Sequence, residues 1–458
     1  MLTLYSLKID MSNYIPGGAN KIHFIGIGGI GMSALARFFL HEGKTVSGSD
    51  RATSAITEAL VAEGVRFFPT QSAENLSKGL NPLLPDIVVY TEAMAHNHPE
   101  IAAARLLGVP MMNYFDALAL VANEYYLIAV AGTHGKSTTT AMLIDILEEA
   151  GYDPTAIVGA IRAKTKSNFR AGKSKYAIVE ACEYKRDFMS LRPDVLVITN
   201  IEFEHVDYYK DLADVQSGFA ELASYVPKEG AIITQTADKN IAPILAELTK
   251  TNDGHRMTVI DYKSSLDLLL PLHQPGIHNR LNAAAATAAA TFLGIEQDVI
   301  NTALENFAGT ERRFEYKGDI IPVAGGRVPV YDDYAHHPTE IRATIAGVRE
   351  KYPDKKLTVV FQSHTYTRTH ELFNDFVTEL TKADRVIMLP IYGAREENIS
   401  GVTSEQLVAA IGKKGTEAKF FETPEASAEF IKESVGLDEV VVVMGAGPVT
   451  EVAKLLTE

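Results

Sequence analysis

YLIAVAGTHGKSTTT, residues 126–140, sets six strand-like positions before a turn bracketed by Gly132 and Gly135, then a lysine followed by four hydroxyl side chains. An apolar run of this length, stopped by glycine and followed by good helix starters, reads as a buried strand feeding a loop that opens a helix. In such a loop the backbone N–H groups of Gly132, Thr133, His134, Gly135 and Thr138 face a phosphate chain. Lys136 neutralises its charge and the Ser137 hydroxyl ligates Mg²⁺. The longer version of this motif wants glycine at position 130; Val130 stands there, so the loop is short. A plain helix start with a solvated lysine is the bland alternative. It does not explain why strand, glycines, lysine and hydroxyls fall in register.

About a hundred residues earlier a second glycine loop appears, Gly26-Ile27-Gly28-Gly29-Ile30-Gly31, after the strand-like IHFIG and before a helix expected over Met32–His41. Glycines here permit a tight turn and close backbone approach to a phosphate, which the helix N-terminus attracts. Asp50 ends the next strand-like stretch, TVSGSD, where it can meet a ribose hydroxyl. Gly26, Gly28, Gly29, Ile30, Gly31, Met32 and Asp50 are therefore candidate ligand residues. Alone, this loop suggests a nicotinamide or flavin cofactor; its glycines also suit a mere turn. A pyridine-nucleotide enzyme has no use for the second loop, so the pair points to two phosphorylated ligands, one of them a nucleoside triphosphate.

Around these loops, apolar runs alternate with amphipathic helical stretches: 86–91, 176–181, 194–200, 230–234, 356–364, 384–390 and 440–447 all read as strands. The pattern predicts an α/β protein with mostly parallel sheets. At 458 residues it needs several cores. We expect three domains meeting at short hinges: a Rossmann-like N-terminal domain (1–120), a central P-loop ATPase-like parallel sheet (121–309) and a C-terminal Rossmann-like α/β domain (310–458). Forty-three basic against 58 acidic residues give a formal charge of −15, which argues against nonspecific nucleic-acid or anionic-membrane binding. No window is apolar enough for a membrane span. The first twenty residues read as a disordered lead-in rather than a signal peptide. A single cysteine, Cys182, leaves no internal disulfide or cysteine zinc site and fits a reducing cytoplasm.

With both loops in hand, the chain resembles the Mur ligases of peptidoglycan synthesis over nearly its whole length. The family form GTxGK[ST]T matches Gly132–Thr138. Further matches are HFIGIGGIGMSALA with VSGSD, HNRLNAAAA (278–286), RRFEYKG (312–318), DDYAHHPTEIRAT (332–344) and FQSHTYTRT (361–369). Three segments depart from the family form. EADESD becomes Glu180-Ala181-Cys182-Glu183-Tyr184-Lys185; NIxxDH becomes Asn200-Ile201-Glu202-Phe203-Glu204-His205; and HRYTRT becomes HTYTRT at 364–369, with Thr365 in place of an arginine. Relatives adding later residues carry a lysine where this chain has Ala220, so the chain is similar to the alanine-adding branch.

The resemblance implies an ATP- and Mg²⁺-dependent ligase that phosphorylates the lactyl carboxylate of UDP-N-acetylmuramate and joins it to L-alanine, with the chain acting as a monomer or homodimer. It assigns the first domain to the UDP-sugar, the second to ATP and metal, and the third to the amino acid and closure on ATP. Lys136 serves the phosphates, and Ser137, Glu180 and His205 serve metal. Asn279, Asn282, Arg313 and Asp333 lie beside ATP, and Tyr334, His336, His337 and Arg368 meet the amino acid, Arg368 through its carboxylate. Residue types alone keep other roles open. Asn279 suits an N-cap ahead of a helix beginning at Leu281, Glu183 suits the metal beside Glu180 or, equally, a solvated loop, and Arg368 suits a surface ion pair. A ligase adding a preformed tripeptide, and a silent nucleotide-sugar sensor, are the competing functions.

Overall fold

The computed structural model describes residues 18–77, 84–92, 94–95, 97–205, 208–251, 257–321, 325–394 and 396–458. The lead-in expected at the N-terminus lies outside these apart from 18–20.

Three sheets form in chain order. The first comprises β1 (Lys21–Ile25), β2 (Thr45–Ser49), β3 (Arg66–Phe68), β4 (Ile87–Tyr90) and β5 (Met111–Asn113), in the order β3-β2-β1-β4-β5. All its pairings are parallel. This is a doubly wound order, in which ligands gather at the carboxyl ends of strands where the winding reverses. The second has β6 (Tyr126–Ala131), β7 (Thr155–Arg162), β8 (Ser167–Arg170), β9 (Tyr176–Glu180), β10 (Val195–Ile198), β11 (Ala231–Thr234) and β12 (Thr258–Asp261), ordered β12-β11-β10-β6-β9-β7-β8. It is parallel except for the antiparallel edge hairpin β7–β8. The third has β13 (Glu315–Ile320), β14 (Val328–Asp333), β15 (Lys356–Phe361), β16 (Arg385–Met388), β17 (Glu417–Phe420) and β18 (Glu439–Met444), ordered β13-β14-β18-β15-β16-β17, with only β13 antiparallel. The α/β expectation with mostly parallel sheets holds.

The inner strands are buried on both faces, which is why they read as unbroken apolar runs. VLVI of β10 is buried at every position and VVVVM of β18 at all five. The chain folds as two compact units, residues 1–268 with 284–304, and residues 269–283 with 305–458. The first two sheets share one unit and one apolar cluster. It runs from Phe24 and Phe39 through Leu118 and Val121 to Leu127, Val179 and Phe219. In the second unit the third sheet is covered on one face by Ile341, Phe376 and Leu407 and on the other by Ile431 and Val452. Among the described residues no helix is long and apolar enough to cross a membrane.

Candidate active site

The loop after β6 is built by its glycines and clamped from β10. Gly132 takes φ +130°, and a Cβ there would sit 2.1 Å from Thr199 Oγ1, so no larger residue fits. Gly135, left-handed at φ 84°, is the N-cap of the helix Lys136–Glu149. From the end of β10, Asn200 Oδ1 accepts from His134 N (3.0 Å) while its Nδ2 donates to His134 O (2.9 Å). Thr199 Oγ1 donates to the same carbonyl (2.6 Å), and Thr133 N donates to Asn200 O (3.0 Å). A fixed loop thus leads into a helix N-terminus, whose unsatisfied N–H groups and dipole favour an anion. Lys136 Nζ lies over this turn, donating to Gly132 O (2.5 Å) and Thr133 O (3.1 Å).

Two carboxylates face it from the end of β9, the strand beside β6, and just past it. Glu180 ends that strand as expected, accepting from Ser137 Oγ (2.9 Å) and from Gly159 N of β7 (2.5 Å). Gly159 has to be small, since a Cβ there would lie 2.8 Å from Glu180 Oε2. Glu183 corrects the solvated-loop alternative: its side chain is 3% exposed, 2.9 Å from Lys136 Nζ and 3.3 Å from His205 Nε2. Burial alone would raise the Glu183 pKa, but Lys136 and His205 outweigh it and bring it to about 2. Burial works against the Lys136 ammonium too, and Glu183 more than offsets it, holding that pKa above the ordinary lysine value. Ligand atoms of Glu183, Glu204 and His205 fall within 4.8 Å of one another. Of the expected metal set, Ser137 and Glu180 therefore pair, whereas His205 groups with Glu183 and Glu204. Sequence reading left Glu183 open between the metal site and a solvated loop; the signal for the site was its place just past a strand end. Burial pushes the Cys182 thiol up to about 12, so it is protonated and unreactive at neutral pH.

The first glycine loop follows β1. Gly26 is left-handed at φ 85°, and the Gly26 and Ile27 amides donate to Ser49 O at 2.8 and 3.0 Å. The following helix is Ile30–His41, so it starts two residues before the expected Met32, with Gly29 as an N-cap without a side-chain bond. Gly31 lies against Tyr114, where a Cβ would come 2.6 Å from Cζ. Asp50 turns back onto the loop, Oδ2 accepting from Gly28 N at 2.8 Å. It shapes the turn as well as lying where a ligand hydroxyl is expected.

In the second compact unit, Asp333 ends β14 and accepts from Phe314 N and Ala335 N, both 2.8 Å. Burial pushes its pKa up to about 6 against the pull of Arg313. The Arg313 guanidinium stands 5.1 Å from the Tyr334 ring. His336 Nδ1 lies 3.0 Å from Tyr334 O and 3.2 Å from Glu340. His337 is the N-cap of the helix Pro338–Lys351, with Glu340 completing a capping box. Arg368 meets His364 Nδ1 at 3.2 Å, and the His364 ring lies 5.8 Å from that of His336. These six predicted residues are thus gathered at one edge, with Arg368 linked through His364. Asn279 is not an N-cap: the helix begins at Ile277, and Asn279 in its first turn donates to Pro275 O at 2.8 Å. Asn282, a turn further, is buried.

Comparison with known proteins matches each stretch of the chain. Profiles described as Mur ligase family, catalytic domain; Mur ligase middle domain; and Mur ligase, glutamate ligase domain fit residues 21–126, 130–290 and 312–447. A UDP-N-acetylmuramate–L-alanine ligase of Agathobacter rectalis is 40% identical, covering 98% of each chain. One of Caldanaerobacter subterraneus subsp. tengcongensis is 36% identical over 99% of each. The crystal structure of the UDP-N-acetylmuramate–alanine ligase of Thermotoga maritima superposes with a TM-score of 0.77 at 28% identity, covering 95% of this chain and 98% of that one. On this length of match, the chain belongs to the Mur ligase family.

Proposed function

We infer that the chain is an ATP-dependent ligase of peptidoglycan precursor synthesis that works in the cytoplasm, joining L-alanine to the lactyl carboxylate of UDP-N-acetylmuramate through an acyl phosphate. The observation that carries this reading is the arrangement at the N-terminus of Lys136–Glu149, where Ser137 pairs with Glu180 and Lys136 with Glu183. Relatives at 36–40% identity carry that activity in their names. We assign residues 1–120 to the UDP-sugar through the Gly26–Met32 turn and Asp50, residues 121–309 to ATP, and residues 310–458 to the amino acid through Tyr334, His336, His337 and Arg368.

A carboxylate is a poor electrophile, so amide formation needs a leaving group, which transfer of the ATP γ-phosphoryl supplies. The amine then attacks the acyl phosphate and phosphate departs. Both steps concentrate negative charge, and fixed donors and cations stabilise it. The amides of the Gly132–Thr138 loop receive the phosphate chain, oriented beforehand by Thr199 and Asn200. Lys136 supplies a cation kept charged by Glu183. Ser137 Oγ and the Glu180 carboxylate are hard oxygen donors 2.9 Å apart, a set that suits Mg²⁺, which takes few protein oxygens alongside phosphate and water. Bound there, Mg²⁺ would neutralise phosphate charge and polarise the transferred group.

Phosphate release from ATP with UDP-N-acetylmuramate, measured with L-alanine, L-serine, glycine or the tripeptide, tests this reading. Release with L-alanine is expected. None with any acceptor overturns the ligase assignment, and release with the tripeptide alone moves the chain to the recycling reaction. Lys136→Ala should abolish turnover while leaving UDP-sugar binding largely intact.

A further inference from the structure

The edge hairpin β7–β8 touches both phosphate-binding helices at once. From β7, Gly159 N holds Glu180, and Arg162 binds Glu148 of the P-loop helix at 2.8 and 3.2 Å. From β8, Arg170 Nε binds the same Glu148 at 2.5 Å. Between these two arginines sits Asn168, fully buried. Its Nδ2 donates to Ile30 O (2.6 Å) and Ser33 Oγ (2.9 Å), and its Oδ1 accepts from Arg37 (2.5 Å). Ile30, Ser33 and Arg37 lie on one face of the helix that follows the first glycine loop. Ile30 is its first residue, so Asn168 grips the turn where that helix presents its amides. Phe169 packs edge-on against Phe38 at 6.1 Å beside this contact.

We propose that the β7–β8 hairpin is a spacer that sets the reach between the two phosphate sites, with Asn168 as its positioning residue. Resting on the ligase reading above, it goes further by explaining how the sugar carboxylate is brought to the γ-phosphorus. The UDP-sugar is held by one loop and ATP by the other, while their reacting atoms have to meet within about 3.5 Å. A displacement of about 1 Å costs as much as a hundredfold in rate. Asn168 fixes the sugar helix to a hairpin whose other contacts are Glu180 and the P-loop helix. It touches no reacting atom itself.

The test is Asn168→Ala in the full-length chain. Single-turnover formation of ADP from ATP and UDP-N-acetylmuramate, without amino acid, should fall about tenfold or more per nucleotide-binding site. The separate affinities for an ATP analogue and for UDP-N-acetylmuramate should each stay within about threefold. A role in stability alone would lower the folded fraction and leave the rate per site unchanged, which overturns the proposal. Equal losses in sugar affinity and rate overturn it too, because Asn168 would then only shape the sugar loop. Should that variant fail to fold, Ser33→Ala removes one acceptor and keeps Ile30 O; a fall of about threefold in the same rate supports the spacer, and no change overturns it. A wild-type chain without ATP turnover would instead refute the ligase reading, so the two failures are distinguishable.

Discussion

Replacing Asn200 by alanine should loosen nucleotide binding without unfolding the protein. The side chain makes both bonds of a cyclic pair with the His134 peptide, 3.0 Å through Oδ1 and 2.9 Å through Nδ2. A hydrogen bond of this kind contributes about 1 kcal/mol net, so the pair holds the loop by about 2 kcal/mol. The His134 carbonyl then keeps Thr199, while the His134 amide loses its Asn200 acceptor. The cost then falls on binding, since nucleotide has to reorder the loop. Two kcal/mol is about a thirtyfold change in an equilibrium constant. Titration calorimetry with a non-hydrolysable ATP analogue should show Kd rising by about ten- to thirtyfold, water replacing part of the loss. Asn200→Asp keeps the acceptor for the His134 amide but faces its carbonyl with an anion, and should be at least as damaging. A Kd within about twofold of wild type, with the urea midpoint unchanged, would refute the idea that Asn200 preorganises the loop.

Two other outcomes follow from the charges. Glu183→Gln leaves Lys136 and His205 without their buried anion; breaking such a pair from one side costs about 3 kcal/mol, readable as a lowered urea midpoint alongside lost turnover. Glu148, gripped by Arg162, Arg170 and Lys164, has a pKa that burial would raise but these cations lower from 4.5 to about 2. Its folded value lies below its unfolded one, so the stabilisation is full above pH 4.5 and fades as pH falls toward 2, by up to about 3 kcal/mol. Urea midpoints between pH 6 and pH 3 should drop more steeply for wild type than for Glu148→Gln; parallel slopes would discount the cluster. Burial shifts the neighbouring Asp145 upward, the opposite direction, so Asp145 does not supply the steep acid loss expected of Glu148.

The strands and both glycine loops were legible because they are local. An apolar run ending in glycine declares a strand end, and Glu180 and Asp333 were found by standing there. What escaped depends on partners distant in the chain. Glu183 meets Lys136, 47 positions away, and His205 in its buried place. The clamp of Asn200 on His134 spans 66 positions, and Asn168 meets Ile30 across 138. The helix start at Ile277 was missed for a local reason. Gly276, at φ 95°, makes the turn that starts the helix, and the polar pair His278–Asn279 hid its first turn behind the alanine run. His337, expected at the amino acid, also caps the helix Pro338–Lys351, a role its sequence pattern does not suggest.

The apolar cluster shared by the first two sheets carries a consequence for how this chain can be taken apart. A gene fragment ending near residue 125 would strip Leu118, Val121 and Ala122 of the second sheet's share of the cluster, to which the strand Tyr176–Glu180 and the turn Tyr184–Ser190 belong. Such a fragment is a poor stand-alone reagent and an aggregation hazard. Heat should melt the two sheets together, as one cooperative block. Exchanging modules between homologues would then preserve solubility only if both sheets travel as a single cassette, cut where the chain leaves that unit.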